Sequence, residues 1–463
     1  MDWINSVNTV LWSYILIILL LSCAVWFTFK TRFVQFRMVG EMFRLLGDST
    51  GTGRPGEKHV SSFQAFAISL ASRVGTGNMA GVALAIAIGG PGSVFWMWVI
   101  ALLGAASAFV ESTLAQLYKA RGKDSYIGGP AYYMQRGLKM RWMGILFAVL
   151  ITFTFGFAFN SVQSNTICAA FQGAFGWNHL WTGIILTGLT LLVIFGGIRR
   201  IARVSGIIVP VMALGYILLV LIIVILNIRE LPGVIELIIG NAFGWHQFAG
   251  GGVGAALSQG IKRGLFSNEA GMGSAPNAAA TAQVSHPVKQ GLLQTLGVFT
   301  DTLIICTCTA FIILFSEIPI DGSLNGIQLT QHALSNEIGS LGHLFIAVSI
   351  FFFAFSSIIG NYYYGEANIR FITRRYWVIG VYRLLVGCMV LFGSLATLKV
   401  TWSLADIMMG LMTICNLIAI SLLGRFSFLL LKDYQEQKRR GIRNPVFNKK
   451  SISELDTADV ECW

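Results

Sequence analysis

The sequence predicts an all-α polytopic membrane protein of about eleven spans, built as two inverted five-helix repeats with one extra N-terminal helix. Three observations predict it. Apolar stretches long enough to cross a hydrocarbon core of about 30 Å recur along almost the whole chain. Basic residues fall almost entirely in alternate loops, and two spans are interrupted by the same glycine pattern. With 55% hydrophobic and 12% charged residues and a mean hydropathy of +0.69, the chain is no string of soluble domains.

The spans are expected at 10–29, 62–88, 93–118, 143–169, 180–197, 204–226, 249–283, 291–316, 343–364, 376–396 and 402–424. The first is full length and lacks a basic leader, since Asp2 stands there, so it reads as a span and not as a cleavable signal. Residues 1–60 then hold an external N-terminus, the extra helix and a cytoplasmic loop; 61–230 the first repeat; 231–430 the second. Residues 431–463 form a charged cytoplasmic tail, expected as a short helix followed by disorder. The segment from Arg121 to Arg141 is too polar to span and is expected on the cytoplasmic surface.

Charge tests the count. Of 33 Lys and Arg, 27 fall in one alternate set of loops, two (Arg229 and Lys399) in the other, and four (Arg73, Lys262, Arg263, Arg383) within spans. A wrong number of spans would scramble that asymmetry, which sets the N-terminus outside and the C-terminus in the cytoplasm. It also explains the net charge of +12 without nucleic acid. Six of the seven cysteines lie inside spans, and the six histidines are scattered, so neither a disulfide framework nor a metal centre is expected.

The first interrupted span is SLASRVGTGNMAGVALAIAIGG, from Ser69, with Arg73, Thr76 and Asn78 around Gly75 and Gly77. The second runs from Gly250 to Ala282 and holds Lys262, Arg263, Asn268 and Glu269. Its Gly271-Met272-Gly273-Ser274 repeats the pattern of Gly75-Thr76-Gly77-Asn78. Backbone broken at membrane depth is tolerated only where it is buried in protein or lines a cavity. Eleven spans make the two breaks antiparallel, the signature of an inverted-repeat transporter. Free amides suit a carboxylate and free carbonyls suit Na⁺ or an ammonium, so a zwitterionic amino acid fits both ends. Helix packing through Gly77 and Gly81 would explain one such motif alone, but not two with matching polar residues. Gly75-x-Gly77 is no dinucleotide loop, because it lacks a βαβ context.

GGPGSVFWMWVIALLG from Gly89, RVGTGNMAGVA before it, and GIKRGLFSNEAGMGSAP from Gly260 resemble the signatures of the alanine or glycine:cation symporter family. Ser93 stands where Gly or Ala is expected. The resemblance implies a leucine-transporter-like fold, the cytoplasmic membrane of a prokaryote, and uptake of a small neutral amino acid (alanine, also glycine or D-alanine) with Na⁺ by alternating access. It further implies that Ser356 and Ser357 in span nine share Na⁺ with the carbonyls of Ala71 and Val74. Span four then lines the pocket through Asn160, Gln163 and Asn165, with Phe159 as a cap.

The substrate's charged ends are expected on the backbone at Thr76, Gly77 and Asn78 and at Gly271, Met272, Gly273 and Ser274. Asp301 could bind a cation, carry a proton, or neutralise Lys262 or Arg263; neutralisation is favoured, because unpaired buried charges are expensive. Glu269 could pair with Arg73 as a gate or with the adjacent basic pair as scaffolding. Glu111, and Glu366 with Arg370, fall near cytoplasmic helix ends, where solvated or i,i+4 pairing is expected. The alternatives are glutamine or serine as substrate, H⁺ as driving ion, and a channel, which the absence of charged rings disfavours. No cofactor, obligate protein partner or enzymatic constellation is expected.

Overall fold

The computed structural model describes residues 2–48, 60–122, 125–196, 198–245, 252–316, 318–320, 324, 326–456 and 458–463. Gly250 and Gly251 of the second interrupted stretch lie outside them, as do the side chains of Arg199, Arg200 and Arg203. Among the described residues, seven helices are long and apolar enough to cross a membrane: Ser6–Lys30, Gly92–Leu117, Arg141–Phe175, Pro287–Phe315, Leu341–Ile372, Tyr376–Leu395 and Leu398–Arg439. These correspond to spans one, three, four, eight, nine, ten and eleven. Span five is the shorter His179–Ile194 and span six is Ile198–Leu226.

Spans two and seven are each in two pieces, as the glycines predict. Span two is Ser62–Arg73 followed by Gly77–Gly89, and span seven is Val253–Asn268 followed by Ala275–Ala279. A capping box starts the first of these: Ser61 Oγ accepts from Gln64 N–H, and Gln64 Oε1 accepts from Ser61 N–H. Helices in the loops between the spans were not expected. Val39–Leu46, Pro130–Arg136 and Gly326–Ile338 lie in loops, and Leu231–Ala242 turns back by 104° from span six. The last of these caps the start of span three, where Asn241 Oδ1 accepts from Gly92 N–H at 2.8 Å. A two-stranded hairpin pairs Ala120–Arg121 with Tyr126–Ile127, the only strands among the described residues.

Spans two and seven form the centre. All residues at 65–86 and at 263–282 are buried. Lipid removes most of the hydrophobic drive between helices, so close packing must hold them, and small residues permit it. Span seven lies on span three through Gly260, where an added Cβ would strike the Ser93 carbonyl, and Gly264, where it would come within 2.6 Å of Ile100 Cγ2.

Basic residues of the loop at 30–60, of the loop before span eight and of the tail meet at one end of the molecule. There Lys289 pairs with Asp48 at 2.6 Å, and Glu41 holds Arg44 at 2.7 Å and Lys438 at 3.2 Å. The tail is ordered against this end, which corrects the expectation of disorder. Span eleven continues as helix to Arg439, Phe447 N–H donates to Ser285 O at 2.8 Å, and Trp463 Nε1 donates to Gln116 O at 3.0 Å. The physical reason is a sparse apolar set, Phe447, Ile452, Leu455 and Val460, all of which are buried.

Candidate substrate and cation site

At the first break the helix ends at Arg73, Val74 is extended, and the chain resumes as a wide π turn, Gly77–Gly81. Two further π turns, Thr152–Phe159 and Phe299–Cys306, flank it. Such turns often mark functional positions, because they leave carbonyls and side chains out of regular register.

The break frees backbone groups that side chains from two other spans, and Asn78 of the break itself, then satisfy. Ser357 Oγ lies 3.0 Å from Ala71 O and 3.2 Å from Val74 O, and 3.0 Å from Phe353 O of its own helix. Ser356 Oγ donates to the same Phe353 carbonyl at 2.8 Å. Ala71, Val74 and Ser357 are therefore brought together as expected, while Ser356 turns to its own backbone beside them. Thr76 N–H donates to Gln163 Oε1 at 3.0 Å, and Gly75 N–H donates to Asn78 Oδ1 at 2.9 Å. A Cβ at Gly75 would strike Ser357 Oγ and come within 3.0 Å of Gln163, so only glycine lets these elements close. Thr76 Oγ1 is buried here without a protein partner.

Phe159 covers the break. Its ring packs on Phe266 at 4.3 Å and on Phe155 at 4.6 Å, and Phe266 in turn meets Trp402 at 4.7 Å. Gly77 lies beneath this stack, where an added Cβ would be 3.0 Å from Phe266 Cδ1 and 3.1 Å from Ser267 Cα. Asn160 and Asn165 serve packing: the first bonds Gly156 O and Asn361, the second Gly393 O and Ala396 O.

Several expectations are corrected. Asp301 does not neutralise Lys262 or Arg263. It accepts from Asn78 Nδ2, Ser267 Oγ and Thr302 Oγ1 at 2.7, 2.7 and 2.9 Å, which ties it to the first break. The basic pair instead faces Asp406, with Arg263 at 2.6 Å and Lys262 at 3.6 Å. Depth decides this. Asp406 enters span eleven from the same end as the basic pair enters span seven, whereas Asp301 lies deeper. Glu269 makes neither expected ion pair: Ser72 Oγ donates to it at 3.0 Å, and Ser274 Oγ donates to its other oxygen. Arg73 donates to Gln294 O at 3.1 Å instead.

The largest correction concerns the second break. Gly271 (φ +84°) and Gly273 (φ +88°) take left-handed backbone that other residues rarely adopt, which explains the glycines. Their amides, expected to meet a substrate carboxylate, both donate to Glu111 at 3.1 Å. Asn416 completes the clamp by donating to Glu111 at 2.8 Å and to Gly271 O at 2.9 Å, and Tyr133 donates to Asn416. Glu111 is fully buried, not solvated at a helix end. Met272 is likewise buried within the clamp. Glu366 and Arg370 do pair, at 2.5 Å.

A sequence profile described as the sodium:alanine symporter family matches residues 1–449. The chain belongs to this family. Among its relatives is the "Probable sodium/glutamine symporter GlnT" of Bacillus subtilis, 54% identical over 460 residues and covering 99% of this chain and 95% of the relative. The amino-acid carrier protein AlsT of the same organism is 54% identical over 458 residues, covering 99% and 97%. The family fold is shared at long range with a crystal structure of the manganese transporter of Eremococcus coleocola. That likeness has a TM-score of 0.53 at 13% identity, covering 90% of this chain and 95% of the other. Membership makes the chain a polytopic membrane symporter of the sodium and amino-acid class, and not an enzyme.

Proposed function

We propose that this symporter imports a small neutral amino acid with Na⁺ at the first break, by alternating access across the cytoplasmic membrane, with its N-terminus outside. The observation that carries the reading is the oxygen cluster of Ala71 O, Val74 O, Phe353 O, Ser356 Oγ and Ser357 Oγ. Hard cations take such neutral oxygens. Na⁺ there replaces the Ser357 proton contacts and fixes the unwound segment.

The same segment holds the substrate. Gln163 Oε1 rests on the Thr76 amide where a substrate carboxylate oxygen would be received, and Thr76 Oγ1 is a free donor beside it. Because one segment binds both ligands, each raises the affinity of the other by the same factor. The second break is then a fixed hinge clamped by Glu111, and residues 61–230 and 231–430 are the two inverted repeats that enclose the site. Ser72, Glu269, Ser274 and Asn361 close the path toward the basic end.

Two side-chain classes fit the reading. The family description supports alanine, and the relative named for glutamine, at 54% identity, supports a longer neutral side chain. Asp301, fully buried and contacted by neutral donors, is the group to carry H⁺ or a second cation if one is used. Uptake of labelled alanine and of labelled glutamine into proteoliposomes tests this, with an inward Na⁺ gradient set against an equal K⁺ gradient at fixed pH. Accumulation with Na⁺ alone is the expected result. Accumulation that follows an imposed pH gradient and ignores Na⁺ would overturn the Na⁺ assignment.

A further inference from the structure

Residues 451–463 carry four acids, Glu454, Asp456, Asp459 and Glu461, and no base, with Ile452, Leu455, Val460 and Trp463 between them. The chain leading into this segment from span eleven is first fixed to the second repeat. Phe447 N–H donates to Ser285 O and Ser285 Oγ donates to Pro445 O, both at 2.8 Å, and Arg425 pairs with Glu454 at 2.7 Å. The segment then crosses to the loop at 119–141 of the first repeat. Glu461 accepts from Arg121 N–H at 3.0 Å and from Arg136 at 3.1 Å, and Lys139 pairs with Asp459 and, at 3.6 Å, with Asp456.

The crossing ends on a seam between the repeats. Gln283 N–H donates to Val60 O at 3.1 Å, which joins the start of span two to the end of span seven by backbone. Lys119 Nζ and Gln116 Nε2 donate to Ala282 O at 3.1 and 3.0 Å, partnering a carbonyl that the short last piece of span seven leaves over. Trp463 lies on this seam and packs with Val60 against Ala65, Ala282 and Val284. Its Nε1 donates to Gln116 O at 3.0 Å, and the buried Lys119 ammonium sits 4.5 Å from its ring centre. Ser72, which closes the path from the first break, is about two turns deeper in span two than Ala65.

Opening the site to the cytoplasm requires the repeats to part at this end, and the tail is attached to both. Its ion pairs are largely exposed, so each is weak and screened by salt. Trp463, backed by several small terms, makes a hold that can be released. We infer that the acidic tail is an autoinhibitory strap: seated, it keeps the cytoplasmic ends of spans two and seven together and lowers the share of carriers open to the inside. The inference rests on the proposed alternating access between the two repeats.

The test reads the path and not the strap. Ser69, wholly buried and about one turn nearer the cytoplasmic end than Ser72, is changed to cysteine in the full chain in lipid nanodiscs, with Cys462→Ser to remove the thiol next to Trp463. Its modification by a charged methanethiosulfonate, over that of the same chain with Ser69 intact, is timed in K⁺ and in saturating Na⁺ with alanine or glutamine. Trp463→Ala should raise the rate about tenfold, by a tenfold shift of the population toward the inward-open form. Asp459→Asn with Glu461→Gln, which removes charge without opening a cavity, should raise it about threefold. Raising KCl from about 0.05 M to about 0.5 M should raise the rate in the parent and leave Trp463→Ala unchanged. Rates that ignore the tail variants and still answer to Na⁺ and amino acid overturn the strap and leave the first break standing. Rates that rise in the tail variants and ignore both ligands keep the strap and overturn the first break as the binding site. Rates that ignore all of these overturn both readings together.

Discussion

The two broken helices are close to identical in sequence pattern and opposite in how their loose backbone is held. At the first, the partners are neutral: a carboxamide from Gln163, a carboxamide from Asn78 and a hydroxyl from Ser357. At the second, a buried carboxylate takes two glycine amides at once. Neutral hydrogen bonds are modest and can be exchanged for a ligand's, whereas a charged clamp is roughly twice as strong and leaves an uncompensated charge when broken. A repeated motif can therefore mark one exchangeable site and one permanent joint.

The contrast is sharpest at Glu111. Glu111→Gln keeps the shape but turns one acceptor into a donor facing an amide, which should cost about 3 kcal/mol of stability. Thermal unfolding of the purified variant should show it, with uptake lost in parallel; a variant as stable as the parent would end the distinction between the breaks. Gly77→Val is next. Its side chain enters the space of Phe266 and Ser267, so substrate binding should be abolished while the protein still inserts and folds. Normal uptake would make the first break a packing feature.

A finer comparison lies within span nine. Ser357→Ala should raise the Na⁺ concentration for half-maximal uptake about tenfold, a loss of about 1.4 kcal/mol. Ser356→Ala should do less, because that hydroxyl faces its own helix. Equal effects would give both hydroxyls the same role, and no effect from either would remove the cation site.

The smallest expected effect concerns a carboxylate clamp remote from both breaks. Burial pushes Glu41 up, but hydrogen bonds from Arg44, Tyr434 and Lys438 prevail and hold it at about 2, against an ordinary value of 4.5. A depressed carboxylate contributes stability that is complete above the unfolded value and lost as pH falls through the folded one. Glu41→Gln should thus flatten the acid side of a stability profile between about pH 4.5 and 2 and leave neutral uptake unchanged. An unaltered profile would show that the clamp is solvated.

What was legible in the sequence was whatever is local. Most span lengths and the two glycine breaks each reside in one stretch of chain, and the structure reproduces them. The pairing of Ser357 with Ala71 and Val74 came from family resemblance, not from spacing. Partners of buried charges were misread because they are chosen by depth and by helix neighbours far apart in the chain. Asp406 was discoverable, as an acid at the depth of Lys262 and Arg263 counted from the same end. Glu111 was not, because nothing in ESTLAQ distinguishes a helix-end carboxylate facing water from one facing a broken helix. The tail misled through average composition, which hid the few apolar residues that anchor it.

The caps on the first break bear on a step that carries no cargo. A symporter that has released its ligands inside must travel back empty, and a site left with bare amides and carbonyls would resist being closed away from water. Gln163, Asn78 and Ser357 supply those groups with stand-in partners that bring no net charge. On the proposed reading of the first break, the unloaded carrier can then reorient without an ion, which would let one molecule work repeatedly without dissipating the gradient that drives it.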